Sequence, residues 1–210
     1  MLWQFIYLYR MPLKKIFIIL TCLCSLQLKL YAQHSYKDSV LLYQENYVAT
    51  HEVVKEPDRK YLSFYPVNKD FCVTALFEKY NDTIGFSMIT SSGKIKRYLK
   101  YGLITFNIHD SLQQLFIYQS VDLMKQEKYK DYLFIPFGDA TSGFTSYGGG
   151  RYLDFVIPDI KNNRLIVDFN KAYNPYCAYT TGYNCPIPPS ENILQVAITA
   201  GEKNYGKPVH

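Results

Sequence analysis

Polar residues of the types that bind or catalyse concentrate in two stretches of the second half of the chain. The first, residues 138–151, contains Asp139, Thr141, Tyr147 and the run Gly148-Gly149-Gly150. Three successive glycines let backbone N–H groups approach a ligand closely, because no Cβ intervenes. The run lacks the P-loop spacing and precedes a strand, so it is neither a P-loop nor a dinucleotide-binding motif. It predicts a ligand cradle or, alternatively, a hairpin loop that needs positive φ.

The second stretch, residues 168–192, is dense in Asn, Tyr and Pro. Loops longer than about 12–15 residues without structure of their own tend to be functional or disordered. Tyrosine rings offer contact area and asparagine amides offer directed hydrogen bonds, a combination that suits sugars and flat polar ligands. The alternative is a structural lid. The two stretches together supply the candidate ligand-binding residues Thr141, Tyr147, Arg151, Asn170, Tyr173 and Asn174.

A hydrolase is the second hypothesis. Asp139 and Asp168 would act as acid and base, and Arg151 would stabilise an anion. The chain has neither a G-x-S-x-G nor an H-E-x-x-H motif, and only His109 lies well inside the domain. A third hypothesis is a purely structural envelope protein, in which both loops only close the ends of the fold.

Cys177 and Cys185 lie in the same Pro-rich loop. A disulfide between them would close a short ring and stabilise the fold by about 2–3 kcal/mol, where the geometry allows it. Their spacing is not C-x-x-C and no histidine lies close to them in sequence, so we expect no metal site. We expect no cofactor either.

Hydrophobic periodicity predicts the elements that would hold these loops. Val40, Tyr43 and Tyr47 repeat at helical spacing and indicate a helix over about 37–51. A period of two then predicts short strands over 71–77, 83–90, 94–100, 103–108, 112–121, 132–137, 151–158, 164–170 and 193–199. Pro136 would end its strand or mark an edge. The fold class predicted is mainly β, an antiparallel barrel or sandwich with one N-terminal helix.

The turn at Asn162-Asn163 predicts one specific pairing. A two-residue turn there would join strands 151–158 and 164–170 as a hairpin. Arg151, Asp168 and Asn170 would then share a face of the sheet, although Arg151 would lie beyond direct reach of Asp168.

The N-terminal region predicts export. The basic pair Lys14-Lys15 precedes an apolar run from Ile16 to Leu28, and Ala32 supplies a small residue before a cleavage site. We therefore expect a cleaved signal peptide over 1–32, an N-terminal helix and linker over 33–60, and one β-rich domain over 61–210. Met11 is the favoured start, an uncleaved anchor is the alternative, and the localisation expected is periplasmic or secreted.

Charge excludes further classes of protein. The net charge is +5, but residues 1–32 hold four basic residues and no acidic one, which leaves 19 basic against 18 acidic residues. Nucleic-acid binding needs a basic surface to neutralise phosphates, so we expect no nucleic-acid partner. After signal cleavage we expect no stable membrane span, and the partner expected is a small polar or glycan ligand. The oligomeric state stays open.

Several segments of the second half resemble a known family. They include Phe134-Ile135-Pro136-Phe137-Gly138-Asp139, Gly148-Gly149-Gly150-Arg151, Asp168-Phe169-Asn170-Lys171-Ala172-Tyr173-Asn174-Pro175 and Cys185-Pro186-Ile187-Pro188-Pro189. These residues resemble the domain of unknown function 1684 family, most specifically over 132–202. The exported form that ends near Ala200-Gly201-Glu202 resembles Bacteroidetes-type members. The family has no assigned reaction, so the resemblance implies where a site lies and nothing about its substrate.

Overall fold

The computed structural model describes residues 13–208, so Met11 and the first twelve residues of the expected signal peptide lie outside the described residues. Helix α1 spans Leu13–Thr50. It begins well before the predicted 37–51 segment because neither glycine nor proline interrupts the sequence between these bounds. No helix among the described residues is both long enough and apolar enough to cross a membrane.

The residues from Val40 onward form one compact unit. The last turns of α1 belong to this unit, and they bury Val40 and Gln44. Gln44 Nε2 donates a hydrogen bond of 3.1 Å to the carbonyl oxygen of Asn170. The predicted helical face formed by Val40, Tyr43 and Tyr47 is therefore the face that packs on the rest of the unit.

Seven antiparallel strands make a single curled sheet, which confirms the predicted class of a mainly β fold with one N-terminal helix. The strand order is β6-β5-β4-β3-β1-β7, and β2 pairs with β3 beside this path. The strands are β1 (Cys72–Lys79), β2 (Phe86–Ile89), β3 (Ile95–Ile108), β4 (Ser111–Ser120), β5 (Tyr132–Phe137), β6 (Arg151–Val156) and β7 (Arg164–Asp168).

The predicted hairpin between β6 and β7 is wrong. Asn162 and Asn163 do form the turn, with φ of 50° and 55°, and Lys161 pairs with Arg164 across it. A 3-10 turn at Ile157–Asp159, which contains Pro158, then ends the pairing. The two strands lie at opposite ends of the strand order, and β7 pairs with β1 instead. Arg151 and Asp168 are therefore not on neighbouring strands.

The sheet carries a different cluster of apolar side chains on each face. Leu115, Ile117 and Ile135 belong to the main core, whereas Tyr118, Phe134 and their neighbours form an aromatic cluster. The period of two in β4, β5 and β6 produces this division. In β3 a bulge between Lys100 and Gly102 inserts one residue and exchanges the two faces. Because of this bulge, Tyr98 joins the aromatic cluster while Ile104 stays in the main core.

Asn192 fills a gap in the sheet beside Pro136. The pairing of β4 with β5 is confined to Tyr118 and Phe134. Past this point the Asn192 side chain accepts from Phe116 N and donates to the carbonyl oxygens of Phe116 and Pro136, at 2.8–3.0 Å. An amide thus replaces the missing ladder bonds, and β5 continues through Pro136 instead of ending there.

The expected strand over 193–199 does not form as a regular strand. This segment runs beside 138–140 through one parallel bridge, between Gly138 and Ile193, and a hydrogen bond from Ala140 N to Val196 O. Further along, the Ile198 N–H donates to the Asp139 side chain and the Ile198 carbonyl accepts from Arg151, so side chains take hydrogen bonds that a regular strand would give to its neighbour.

Candidate functional site

Arg151, the centre of the site expected from sequence, lies inside the protein. Its side chain has no exposed surface, and its Nη2 atom is 2.8 Å from Asp139 Oδ2. The guanidinium also donates to the backbone carbonyls of Ile198, Ala200 and Glu202. Arg151 therefore fastens the C-terminal segment to β6 and does not face either of the cavities described below.

Asn170 and Asn174 are also fully buried. Asn170 accepts from Asn68 N at 2.9 Å and donates to Asn68 O at 2.8 Å, which joins the segment before β1 to the segment after β7. The Asn174 side chain donates to the carbonyl oxygen of Lys203 at 2.8 Å. The asparagine amides that suggested ligand contacts bind distant backbone instead.

The carboxylates of the hydrolase hypothesis have separate partners. Asp139 Oδ1 accepts from Thr141 N and Ile198 N, while its other oxygen binds Arg151. Asp168 Oδ1 accepts from the backbone and the side chain of Asn170, at 3.1 and 2.9 Å. Neither carboxylate lines either of the two cavities described below. Thr141, another ligand candidate, is buried with its hydroxyl 2.7 Å from that of Ser146.

The two loops identified from sequence do contact each other. Gly150 has a φ of +81°, and a Cβ there would approach Pro188 Cγ to 2.5 Å, so only glycine fits. Tyr147 donates from its hydroxyl to the carbonyl oxygen of Cys177 at 3.3 Å. Between the loops lies a cavity of about 290 Å³, lined by Tyr147, Gly148 and Gly149 on one side and by residues around the Cys177–Cys185 disulfide on the other.

A larger cleft of about 640 Å³ adjoins this cavity. Ligand sites for drug-sized molecules have volumes of this order. Six tyrosines line it, and we call it the tyrosine cleft: Tyr43, Tyr47, Tyr152, Tyr173, Tyr176 and Tyr183. Lys96 and Asp154 are the charged residues of its wall.

Separate elements bring the tyrosines together. Helix α1 contributes Tyr43 and Tyr47, one turn apart on the face that packs on the unit. Strand β6 contributes Tyr152, whose hydroxyl donates to the carbonyl oxygen of Pro186 at 2.5 Å. The loop after β7 contributes the other three, and the disulfide between Cys177 and Cys185 closes the ring that contains Tyr183.

Asp154 is the carboxylate of this cleft. It follows Tyr152 by two residues on β6, so both side chains lie on the aromatic face. Tyr132 donates to Asp154 Oδ1 at 2.6 Å, and Tyr173 donates to both carboxylate oxygens at 2.8 Å. Protein surrounds the carboxyl on most sides, which raises the pKa of Asp154 above its usual 3.8, while the two tyrosines oppose this shift. The side chain nevertheless keeps exposed surface, because the wall is concave and open.

Two further carboxylates accept hydrogen bonds from tyrosines of the cleft, although they do not line it themselves. Glu202 is fully buried and accepts from Tyr47 at 3.1 Å and from Tyr179 at 2.7 Å. Glu52 accepts from Tyr176 at 2.7 Å. Burial raises the pKa of Tyr43 and of Tyr176 to about 12 each, so these hydroxyls stay protonated and act as donors near neutral pH.

The structure thus separates the residues expected from sequence into two groups. Tyr147 lines the smaller cavity and Tyr173 lines the cleft, whereas Thr141, Arg151, Asn170 and Asn174 serve internal contacts. Asp154 and the two tyrosines of helix α1 were not among the site residues expected from sequence. A signal existed for Asp154, because it is the single carboxylate inside the alternating strand segment Tyr152–Val156. The tyrosines that donate to Asp154 are distant from it in sequence, so no local pattern indicated them.

Among residues 13–208, no three or more His, Cys, Asp or Glu side chains cluster closely enough to hold a metal ion. The site has instead the chemistry of an aromatic surface with a carboxylate acceptor. Fold and site together define the class: a protein built on one curled antiparallel sheet, with a tyrosine-lined cleft on the aromatic face of that sheet.

Comparison with known sequences gives the family. The chain belongs to the family described as "Protein of unknown function (DUF1684)", whose sequence profile matches residues 59–203. No curated protein matches the chain. Among solved structures, the chain is similar to the solution NMR structure of an uncharacterized protein from Haloarcula marismortui. The two are 27% identical, with a TM-score of 0.61 over 82% of this chain and 96% of the other.

Proposed function

We propose that the protein is a binding module for a small polar molecule or glycan, and that the ligand occupies the tyrosine cleft. The observation that carries this proposal is the combination of a cleft of about 640 Å³, six tyrosine side chains and a carboxylate, Asp154, that has no ion-pair partner among the described residues. Apolar walls with a few directed polar groups are the usual composition of a ligand site.

The alternatives have less support. A hydrolase using Asp139, Asp168 and Arg151 would need these groups at a cavity, and they line neither of the two cavities. A purely structural role fits Arg151 and Asn170, which fasten backbone segments together. It does not account for the partly exposed tyrosines that converge on Asp154.

Export belongs to the same proposal. The predicted signal over residues 1–32 would deliver the chain to an oxidising compartment, and the disulfide between Cys177 and Cys185 supports this because such bonds persist there. The ligand would then be a molecule of the periplasm or the cell exterior.

The test is a ligand screen read by the thermal unfolding temperature and confirmed by calorimetry. The screen includes monosaccharides, oligosaccharides and small polar metabolites. A ligand that binds only the native state raises the unfolding temperature, and the rise grows with the logarithm of the ligand concentration above its Kd. We expect Tyr183→Ala to weaken ligand binding by about 2- to 12-fold, because an aromatic contact contributes about 0.5–1.5 kcal/mol.

The matched control is Tyr80→Ala. Tyr80 is 49% exposed, close to the 41% of Tyr183, and it does not line the cleft. Equal weakening by both substitutions, or no stabilisation by any member of the screen, would count against a ligand site in the tyrosine cleft.

A further inference from the structure

The charges around the tyrosine cleft point to one class of ligand. We propose that the ligand carries a positively charged ammonium group, which contacts the Asp154 carboxylate and the surrounding tyrosine rings. This inference rests on the proposed function and adds the chemistry of the ligand to it.

The hydrogen bonds of Asp154 leave its charge uncompensated. A carboxylate offers about four lone-pair positions. The Tyr132 hydroxyl donates to Oδ1, and the Tyr173 hydroxyl shares its single proton between Oδ1 and Oδ2. Both donors are neutral hydroxyls, and no cationic side chain of the described residues lies within 4.0 Å of this carboxylate. An ammonium group would occupy a remaining lone-pair position and neutralise the charge.

The tyrosine rings meet at steep angles around this carboxylate. Tyr152 and Tyr173 lie 5.9 Å apart with an angle of 89° between their planes, and Tyr47 and Tyr173 lie 6.1 Å apart at 45°. Tyr176 and Tyr183 lie 5.0 Å apart at 67°. Two of these pairs are edge-to-face contacts and the third is tilted, and all five rings line the same cleft. Aromatic cages that bind ammonium groups are likewise built from several rings around one space.

The tyrosine hydroxyls reinforce this preference. Two of the six cleft tyrosines donate to carboxylates outside the buried interior: Tyr173 to Asp154 and Tyr176 to Glu52. A phenol that donates to an anion becomes more electron-rich, because the hydrogen bond polarises the O–H bond toward the ring. Such rings attract a cation more strongly and repel an anion.

Lys96 is the opposing charge in the wall of the cleft. It forms no ion pair with Asp154 within 4.0 Å. Its long stem lets the ammonium group turn toward solvent while the methylenes stay against the wall. Lys171 also places its ammonium group 5.5 Å from the Tyr43 ring, so the preference for a cation rests on direct contact with Asp154 and not on the net charge of the cleft.

The experiment compares ligands that match in shape and differ in charge. The first pair is choline and dimethylbutanol, its uncharged isostere with carbon in place of nitrogen. The second pair is glucosamine and glucose. Affinities are measured by NMR titration at neutral pH and constant ionic strength. We expect each cation to bind about tenfold or more tightly than its neutral partner.

Asp154→Asn tests the residue. It keeps the shape of the side chain and removes its charge, so the preference for the cation should fall to within about twofold of unity. The control is Glu78→Gln, since Glu78 is an exposed carboxylate of β1 that does not line the cleft. Circular dichroism confirms that each variant is folded, and the wild-type comparison alone decides the matter where Asp154→Asn does not fold.

Two outcomes overturn the inference in different ways. Neutral partners that bind as tightly as the cations would refute the ammonium group, and an unchanged preference in Asp154→Asn would refute its contact with Asp154. In both cases the cleft remains a binding site. Failure of all four probes would refute the ammonium inference as well, and the broader screen and the Tyr183→Ala comparison would then decide separately whether the cleft binds any ligand.

Discussion

Arg151 and Asp139 form an ion pair of 2.8 Å in which neither side chain has any exposed surface. The pair is completed by carbonyl oxygens at Ile198, Ala200 and Glu202, which accept from the guanidinium, and by backbone N–H groups, which donate to Asp139 Oδ1. Every contact of the pair is therefore internal, and its role is to hold the C-terminal segment against the end of β6.

We expect Arg151→Met to lower the free energy of unfolding by about 3–5 kcal/mol, because it leaves a buried carboxylate without its partner. Chemical denaturation measures the change. Arg164→Met is the control, since Arg164 is exposed on β7, and its effect should stay within about 0.5 kcal/mol. A loss below about 1 kcal/mol for Arg151→Met would mean that the buried pair does not hold this segment.

The sequence predicted the local features of the fold better than its pairings. Alternation located most strands, and the turn at Asn162-Asn163 was found because two adjacent asparagines tolerate positive φ. The pairing of β7 with β1 joins segments about ninety residues apart. No local pattern encodes such a partner, so the hairpin with β6 was predicted instead.

In the candidate site, too, local features were predicted from sequence while contacts between distant segments were not. Asn170 and Asn192 each bind both the N–H and the C=O group of one distant residue, Asn68 and Phe116 respectively. An asparagine that bridges backbone has the same sequence appearance as one that binds a ligand. The density of asparagine in the loop therefore indicated side chains that hydrogen-bond to backbone groups, not side chains that bind a ligand. The cleft is formed by tyrosines from α1, β6 and the disulfide loop, which no local sequence pattern brings together.

Asn192 allows a test of the proposal that buried asparagine side chains hold distant backbone segments together. Asn192→Ala should cost about 3 kcal/mol or more, because it leaves the N–H of Phe116 and the carbonyls of Phe116 and Pro136 buried without a partner. Asn192→Asp should lower the free energy of unfolding at least as much. It keeps the oxygen that accepts from Phe116 N, but its second carboxylate oxygen would repel the carbonyl oxygens of Phe116 and Pro136. Asn107→Ala, at an exposed position of β3, serves as the control in urea denaturation. Equal effects of the Asn107 and Asn192 substitutions would contradict the bridging role.

Glu202 predicts a specific dependence of stability on pH. Burial raises the pKa of Glu202 from 4.5 to about 7 in the folded protein, although Asn174, Tyr47 and Tyr179 donate to it and Arg151 attracts it. Between these values the folded state keeps a proton that the unfolded chain has released. The free energy of unfolding should therefore fall as the pH rises from about 4.5 to 7, by about 3 kcal/mol in total.

His51 acts in the opposite direction. Burial lowers the pKa of His51 below 6.5, so the folded protein binds a proton less readily than the unfolded chain. The stability that neutral His51 contributes is therefore lost as the pH falls below about 6.5. The measurement is therefore the difference between wild type and Glu202→Gln across the pH series, in which the contribution of His51 cancels. Glu78→Gln, an exposed carboxylate, should leave the profile unchanged. Parallel profiles for wild type and Glu202→Gln would show that Glu202 titrates as it does in the unfolded chain.

The disulfide between Cys177 and Cys185 closes a short ring that carries Tyr183 and follows Tyr176 directly. We expect the double substitution Cys177→Ala, Cys185→Ala to lower the free energy of unfolding by about 2–3 kcal/mol, since the unfolded chain regains the freedom that the ring removes. Ligand affinity at the tyrosine cleft should also fall, because without the disulfide the ligand must order Tyr176 and Tyr183 when it binds, and this loss of conformational entropy reduces the free energy of binding. Chemical reduction of the disulfide in the wild type should reproduce both effects, and the same treatment should leave the double variant unchanged. A reduced wild type that binds with full affinity would show that the ring does not preorganise the cleft.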